Sequence, residues 1–431
     1  MKRLSKYTIF HNQNGRNYMF HQLSKALLEI DTELYKTLTE ADLSKIPQDI
    51  QKDLEKSGFL VDNNIDESYK LRYANLINRY NSKVLRLTIL PTINCNFRCW
   101  YCYEQHEPSL MKEDNILSIL KFAKTEIEIK HIKKVVLDWF GGEPLLRFYQ
   151  IVYPLSKALK SFCDEHHVDI LITMTTNGSL INKDVAIKMK EIGLEQLQIT
   201  LDGGKENHNK VRYSHAIRDS YKVIVNNIHL LCKILDKPNI ILRINYTSEN
   251  IDSTYSILDD FDEDTRKFIL ISPHIVWQES YKMSDLSAKV TQLKKYAYEK
   301  GYCIRNPSLS RRCMSCYTEN MEQFVINYDM NVYKCTARDF NKKFCVGKIT
   351  EAGKFEPNEL YYRYYTTSSP FVCKECLKCD LLPSCIYSSS CLQKKIEGYQ
   401  PKCDKDMIVK SVHEDIAFKL RKSKQSNSKN I

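Results

Sequence analysis

Leu85–Glu104 reads LRLTILPTINCNFRCWYCYE, and its two halves ask for different structures. Leu85–Leu90 is an apolar run closed by Pro91, which cannot donate to a ladder, so it predicts a strand and its end. The loop behind it carries Cys95, Cys99 and Cys102 in the spacing C-x3-C-x2-C. Structural zinc closes around four ligands, usually as two pairs. Three thiolates in one loop leave a position open, and a 4Fe–4S cube held by three cysteines has one iron free for a ligand that is not protein. His106 could complete a zinc site, but four residues past Cys102 it reads as a surface residue.

Outward from this loop, residues from about 84 to 300 alternate strands with amphipathic helices. Strand-like runs stand at Leu85–Leu90, Val135–Phe140, Ile170–Thr175, Leu197–Leu201, Ile240–Ile244 and Phe268–Ile271. Helical patterns fall between them, at Asn115–Ile127, Lys183–Ile192, Tyr221–Leu235 and Ser284–Tyr298. Repeated β-then-α segments imply parallel strands with right-handed crossovers. Six repeats suit a partial, TIM-like (β/α)6 barrel better than a closed eightfold one, with the active site at the C-terminal strand ends.

Those strand ends carry the next motifs. Gly141-Gly142-Glu143-Pro144 follows the second strand, Thr176-Asn177-Gly178 the third, and Thr200-Leu201-Asp202-Gly203 the fourth, with His208 and Arg212 beyond. Five of the 12 glycines (Gly141, Gly142, Gly178, Gly203 and Gly204) sit in these three turns. The cysteine loop and the motifs in this order resemble the radical S-adenosylmethionine (SAM) family. The resemblance implies that the open iron chelates the amino and carboxylate groups of SAM and that Tyr101 lies against the adenine. It makes Gly141, Gly142, Glu143 and Pro144 the loop that holds the SAM amino group. There the glycines expose backbone carbonyls and Glu143 offers a carboxylate to an ammonium. Asn177, Thr200 and Asp202 join the cofactor-binding set, and Arg212 becomes the partner of the SAM carboxylate.

Sixteen cysteines in a chain read as cytosolic argue for metal or catalysis rather than disulfides. Cys163, Cys232, Cys303 and Cys345 read as small buried hydrophobes, and Cys373 is left unassigned. From about 303 the β-α rhythm stops. Cys313-x2-Cys316 and Cys335 precede the run Cys376-x2-Cys379-x5-Cys385-x5-Cys391-x11-Cys403. This resembles the SPASM domain, which holds two auxiliary 4Fe–4S clusters. Two departures stand out: a gap of five residues (Ile386–Ser390) where three are usual, and Met330 where a hairpin glycine is expected. The family's interleaved connectivity assigns Cys313, Cys316, Cys335 and Cys391 to one auxiliary cluster and Cys376, Cys379, Cys385 and Cys403 to the other. Count and spacing alone also fit zinc ribbons.

Residues 1–80 read as a small winged-helix-like unit. Asp31 caps a short helix, Pro47 and Gly58 bracket a second, and Phe59-Leu60-Val61 forms a strand. Leu71–Tyr80 reads as a linking helix. Some SPASM enzymes that modify peptides begin with such a module, which binds the leader of a ribosomally made precursor. The expected division is therefore 1–80 for peptide recognition, 81–302 for the radical SAM core, 303–410 for the SPASM region and 411–431 for a basic, disordered tail. Lys and Arg exceed Asp and Glu by 64 to 53, a formal charge of +11 spread along the chain. No apolar run approaches the ~18–20 residues of a membrane span, and the N-terminus lacks the apolar stretch of a signal peptide. A cytoplasmic protein binding neither membrane nor nucleic acid is expected.

The resemblance then implies reductive cleavage of SAM at Cys95, Cys99 and Cys102 to a 5′-deoxyadenosyl radical, which oxidises or crosslinks residues of a precursor peptide. An electron donor such as flavodoxin or ferredoxin is a further implied partner. One alternative is an anaerobic sulfatase-maturating (formylglycine-generating) enzyme. That branch has an aspartate directly after the hairpin cysteine; here Thr336 follows Cys335 and Asp339 is the nearest acid. A rival from another class, a zinc-dependent nucleic-acid-binding protein, needs a basic-aromatic stripe that the sequence lacks.

Overall fold

In the computed structural model the six apolar runs become neighbouring strands of one sheet. The structure describes residues 2–276, 278, 284–304, 316–337, 340–366, 374–385, 403 and 405–427. Cys313, Cys373, Cys391 and Asp339 lie outside them. The chain forms two units, one of residues 1–81, 306–321 and 363–431, the other of residues 82–305 and 322–362. Among the described residues no helix is long and apolar enough to cross a membrane.

The first unit opens with β1 (Lys2–Leu4), β2 (Thr8–Gln13), β3 (Arg16–His21) and β4 (Leu27–Ile30). β2, β3 and β4 form an antiparallel sheet absent from the sequence-based expectation. Its first turn is Asn14-Gly15, both residues at positive φ (+54° and +73°), the geometry a two-residue hairpin prefers. The expected helices follow, Thr32–Thr39 with Asp31 accepting from the Leu34 N–H (2.7 Å), then Gln48–Lys56 after Pro47. β5 (Leu60–Asp62) pairs antiparallel with β1. Met19, Leu38, Leu54 and Phe59 close the core, and helix Ser68–Tyr80 ends the segment.

Of residues 411–431, expected as a disordered tail, 411–427 belong to a helix at Lys405–Asn427, and the last four lie outside the described residues. Ile408, Val412 and Ile416 recur every fourth residue, the spacing of one helix face, and they pack with Phe20 and Leu381. That apolar stripe outweighs the Lys- and Ser-rich end of the sequence. Cys379 and Cys385 pack against the same cluster, while Cys376 joins one around Tyr7 and Leu382.

The second unit holds β6 (Val84–Ile89), β7 (Arg98–Cys99), β8 (Lys134–Trp139), β9 (Asp169–Thr176), β10 (Leu194–Leu201), β11 (Arg212–Tyr213), β12 (Asn239–Tyr246) and β13 (Ile269–Ile275). β14 (Cys303–Ile304), β15 (Gln323–Ile326), β16 (Asn331–Tyr333), β17 (Gly347–Ile349) and β18 (Phe355–Pro357) complete it. Eleven of these strands form one mixed sheet in the order β14-β13-β12-β10-β9-β8-β6-β15-β16-β17-β18. β14 through β15 in that order are parallel and the last three pairings antiparallel. The sheet thus exceeds the six expected strands at both ends. Residues 322–362, expected as part of the cysteine-rich region, extend it instead of standing apart. Met330 adopts the left-handed backbone (φ +68°) of the missing hairpin glycine.

Alternation along the strands separates two faces. Leu87, Leu137, Trp139, Leu197, Ile199, Leu242 and Ile244 are fully buried on one, where Trp139 Nε1 donates to Ser156 Oγ of helix Tyr153–Glu165 (2.9 Å). The other face is polar, carrying Thr88, Asp138, Thr173, Gln198, Thr200, Arg243 and Asn245. Of the four cysteines read as buried hydrophobes, Cys163 is buried, Cys232 and Cys345 are half-buried, and Cys303 is exposed. Cys303 belongs to an edge strand, which leaves a flank open.

Candidate active site

The cysteine loop lies directly behind β6. It turns tightly, the Cys102 N–H donating to the Cys99 carbonyl (3.0 Å) and the Phe97 N–H to Cys95 Sγ (3.4 Å). β7 within it pairs antiparallel with β11, setting Cys99 opposite Arg212. Cys95 is buried, Cys99 half-buried and Cys102 exposed, yet all three line one cavity of ≈ 190 Å³. Burial pushes the Cys95 thiol up to about 12 and Cys102 up to about 11, and it raises Cys99 as well. The metal-free thiols are therefore protonated at neutral pH, and binding a metal cluster would release protons.

The Gly-Gly-Glu-Pro loop is laced to this loop. The Gly142 and Glu143 N–H groups donate to the Thr92 and Asn94 carbonyls (3.2 and 2.9 Å). A Cβ on Gly142 would meet Asn94 O at 2.2 Å, and one on Gly141 would meet Thr92 O at 2.4 Å, with Gly141 at φ +110°. The glycines thus allow two backbones to touch. Glu143 differs from expectation. It is fully buried, its Oε1 accepting from Leu145 N–H (3.0 Å) and Thr176 Oγ1 (2.8 Å), its Oε2 from Asn177 N–H (2.8 Å). Its carboxylate braces the turn after β9, because a carboxylate sealed from water takes the nearest N–H and O–H donors. Pro144 is buried at the first position of the short helix Glu143 caps. Asn177 Nδ2 donates to Asn96 Oδ1 (2.8 Å) and lies 3.8 Å from Cys95 Sγ.

Tyr101 is the hub of the opposite wall. Its hydroxyl donates to Asp202 Oδ2 (2.5 Å) and accepts from Arg212 Nη1 (2.9 Å) and Asn245 Nδ2 (3.0 Å). Burial keeps that hydroxyl protonated. Arg212 lies over the Phe97 ring (5.6 Å), and the Asp202 N–H donates to His208 Nδ1 (3.2 Å). Thr200 lines the cavity with Gln198, Arg243 and Asn245, three side chains that stand outside the sequence motifs. They are polar residues at every second position of otherwise apolar strands, and that period was the signal. His106, read as a surface residue, is half-buried and lines the cavity, its Nδ1 3.3 Å from the Ile93 carbonyl.

Among the described residues, four buried polar atoms here have no hydrogen-bond partner: Glu104 Oε2, Asp202 Oδ1, His208 Nε2 and Arg212 Nε. Burial also pushes Glu104 up to about 8. A cavity with three thiols, two guanidinium groups and the orphaned carboxyl oxygen of Glu104 fits a three-cysteine cluster together with a zwitterionic ligand. Of the residues expected here, the structure brings together Cys95, Cys99, Cys102, Tyr101, Gly141, Gly142, Asn177, Thr200 and Arg212 around the cavity. Glu143, Pro144 and Asp202 stand behind them.

Residues 89–260 match the radical SAM superfamily. The chain is 22% identical over 446 residues to the radical SAM cyclopropyl synthase TigE of Paramaledivibacter caminithermalis, covering 90% of this chain and 89% of that one. Among solved structures it resembles native anSMEcpe with bound AdoMet and Cp18Cys peptide (TM-score 0.58, 20% identity, 81% of this chain and 100% of that). It also resembles Streptococcus suis SuiB bound to precursor peptide SuiA (TM-score 0.51, 16% identity, 95% and 100%).

Proposed function

Because the chain is a radical SAM superfamily enzyme, its matching domain running over residues 89–260, we propose that it oxidatively modifies or crosslinks residues of a ribosomally made precursor peptide. The observation that carries this is the single cavity on which Cys95, Cys99 and Cys102 converge with the glycine loop and two arginines. When bound, the 4Fe–4S cluster and SAM supply one-electron reduction and a 5′-deoxyadenosyl radical. The chain's own residues do the rest. The three cysteines hold the cluster, Gly141 and Gly142 bring backbone against the cysteine loop, and Tyr101 with Asp202 fixes the guanidinium of Arg212. Peptides accompany two of the similar structures, anSMEcpe with Cp18Cys and SuiB with SuiA, which supports a peptide substrate.

In this reading residues 1–80 recognise the leader. The cysteine-rich region holds two auxiliary clusters, one on Cys313, Cys316, Cys335 and Cys391, the other on Cys376, Cys379, Cys385 and Cys403. A small electron-transfer protein such as flavodoxin or ferredoxin supplies the electrons. Formylglycine formation is the second reading. Against it stands Thr336, in place of the aspartate that branch uses, its carbonyl accepting from the Tyr103 hydroxyl (2.5 Å). The test is anaerobic incubation with SAM, dithionite and the precursor peptide encoded nearest the gene. A mass change in the peptide, in step with 5′-deoxyadenosine, supports the proposal. SAM cleavage coupled instead to a sulfatase-derived Cys or Ser peptide supports the second reading.

A further inference from the structure

Helix Ser68–Tyr80 has its amphipathicity reversed. Ser68, Leu71, Asn75 and Arg79, three of them polar, are buried at 4% exposure or less except Ser68 at 7%. Tyr69 (67%), Tyr73 (68%), Leu76 (42%), Ile77 (41%) and Tyr80 (43%) are exposed. At about 100° per residue these five share one stripe opposite the buried residues, about 17 Å long at ~1.5 Å per residue. Burying Arg79 demands compensation, which comes from Glu319 (3.7 Å) and the Tyr364 and Tyr365 carbonyls (both 3.3 Å). Arg79 thus anchors the inward face through polar contacts, while Asn75 is buried with its Oδ1 and Nδ2 unpartnered among the described residues, and the apolar stripe faces water. A contiguous exposed apolar patch of this kind marks an interaction surface.

The first turn of the helix also walls a cavity of ≈ 510 Å³ with a strong excess of cations. Arg3, Lys6, Arg72, Lys374 and Lys378 line it against one acid, Asp66. Arg3 is engaged by Glu67 (3.1 Å) and the Ile65 carbonyl (2.7 Å), and Lys6 lies 3.7 Å from Asp66. Arg72, Lys374 and Lys378 have no acidic partner among the described residues. Three uncompensated cations converging on one concavity call for carboxylates.

We propose that this helix face docks an acidic, apolar-studded segment of the peptide substrate, with apolar side chains on the tyrosine stripe and carboxylates in the Arg72–Lys374–Lys378 cavity. The inference rests on the peptide-modifying reading above and specifies where and by what chemistry the peptide is held. An extended peptide could instead add to the edge of β5 (Leu60–Asp62), but that strand is occupied on one side by β1, whereas the helix stripe is exposed. A membrane-binding face would spread its cations round a flat apolar belt; here they gather in a pocket at one end. The occupant is therefore a peptide of defined polarity, and its binding weakens with salt.

The test uses the full chain and two short fluorescein-labelled peptides, one alternating leucine and glutamate, the other leucine and lysine, read by anisotropy. The acidic probe should bind at least about tenfold (~1.4 kcal/mol) more tightly than the basic one. The double variants Tyr69→Ala/Tyr73→Ala and Arg72→Glu/Lys378→Glu, all at solvent-facing positions, should each weaken it by at least about tenfold. Equal binding of both probes, or unchanged binding by either variant, overturns the proposal. So does partition of the wild-type chain onto phosphatidylserine vesicles that both variants lose, which assigns the face to a membrane. SAM cleavage by the same wild-type preparation separates the two ideas: cleavage without probe binding refutes the docking face alone, and no cleavage refutes the enzymatic reading.

Discussion

Replacing Tyr101 by Phe removes one oxygen and leaves the ring in place. That oxygen makes three hydrogen bonds, to Asp202 (2.5 Å), from Arg212 (2.9 Å) and from Asn245 (3.0 Å). Asp202 is 1% exposed and Arg212 8%, and each already has one buried atom without a partner. Each lost bond to a charged group is worth about 1.5–3 kcal/mol, and the neutral one to Asn245 about 1 kcal/mol. Asp202 and Arg212 can close on each other once the hydroxyl has gone, so the terms do not add fully. The net loss should be about 3 kcal/mol, roughly a 150-fold shift in the unfolding equilibrium. Urea unfolding of the metal-free protein, followed by fluorescence and extrapolated linearly, measures it. Asn245→Ala, which removes only the neutral partner, should cost about 1 kcal/mol. A Tyr101→Phe loss below about 1 kcal/mol would show that the hydroxyl is not the hub of this wall.

Gly142→Ala sets a Cβ 2.2 Å from Asn94 O, and should lower stability by about 1–3 kcal/mol while separating the glycine loop from the cysteine loop; an unchanged melting temperature would contradict the contact. Asp138, beside Thr173 Oγ1 (2.6 Å), is raised by burial from 3.8 to about 6, so the fold favours its protonated form. Its contribution is complete below about pH 4 and lost as pH rises through about 6, at most about 3 kcal/mol, and Asp138→Asn should remove that part of the pH dependence. Ile416, fully buried against Phe20 and Leu381, should cost about 2–5 kcal/mol when cut to Ala. If helix Lys405–Asn427 were a loose tail the change would be negligible.

The sheet was legible because its strands are apolar on the helix-facing side and short enough to separate by turns: all six runs between Leu85 and Ile271 are strands in the structure. The three-strand sheet at the N-terminus was not, although Asn14-Gly15 is a strong hairpin signal. Its strands mix His, Asn and Gln with apolar residues, so alternation is blurred. Motif spacing located the cysteine, glycine and Tyr101 positions but not their partners. Glu143 illustrates the limit, since a carboxylate's role depends on which donors surround it, and those come from Leu145, Thr176 and Asn177. The pairing of β7 with β11, which brings Arg212 beside Cys99, spans more than a hundred residues and no local pattern announces it.

The central claim is that Cys95, Cys99 and Cys102 form one radical-generating centre. The direct measurement is 5′-deoxyadenosine release from SAM by anaerobically reconstituted protein under dithionite, comparing wild type with the Cys95→Ala/Cys99→Ala/Cys102→Ala variant. The account predicts release by the wild-type protein, none by the variant, and lower bound iron in the variant. Equal release by both, or a colourless wild-type protein that takes up zinc and cleaves no SAM, would contradict it.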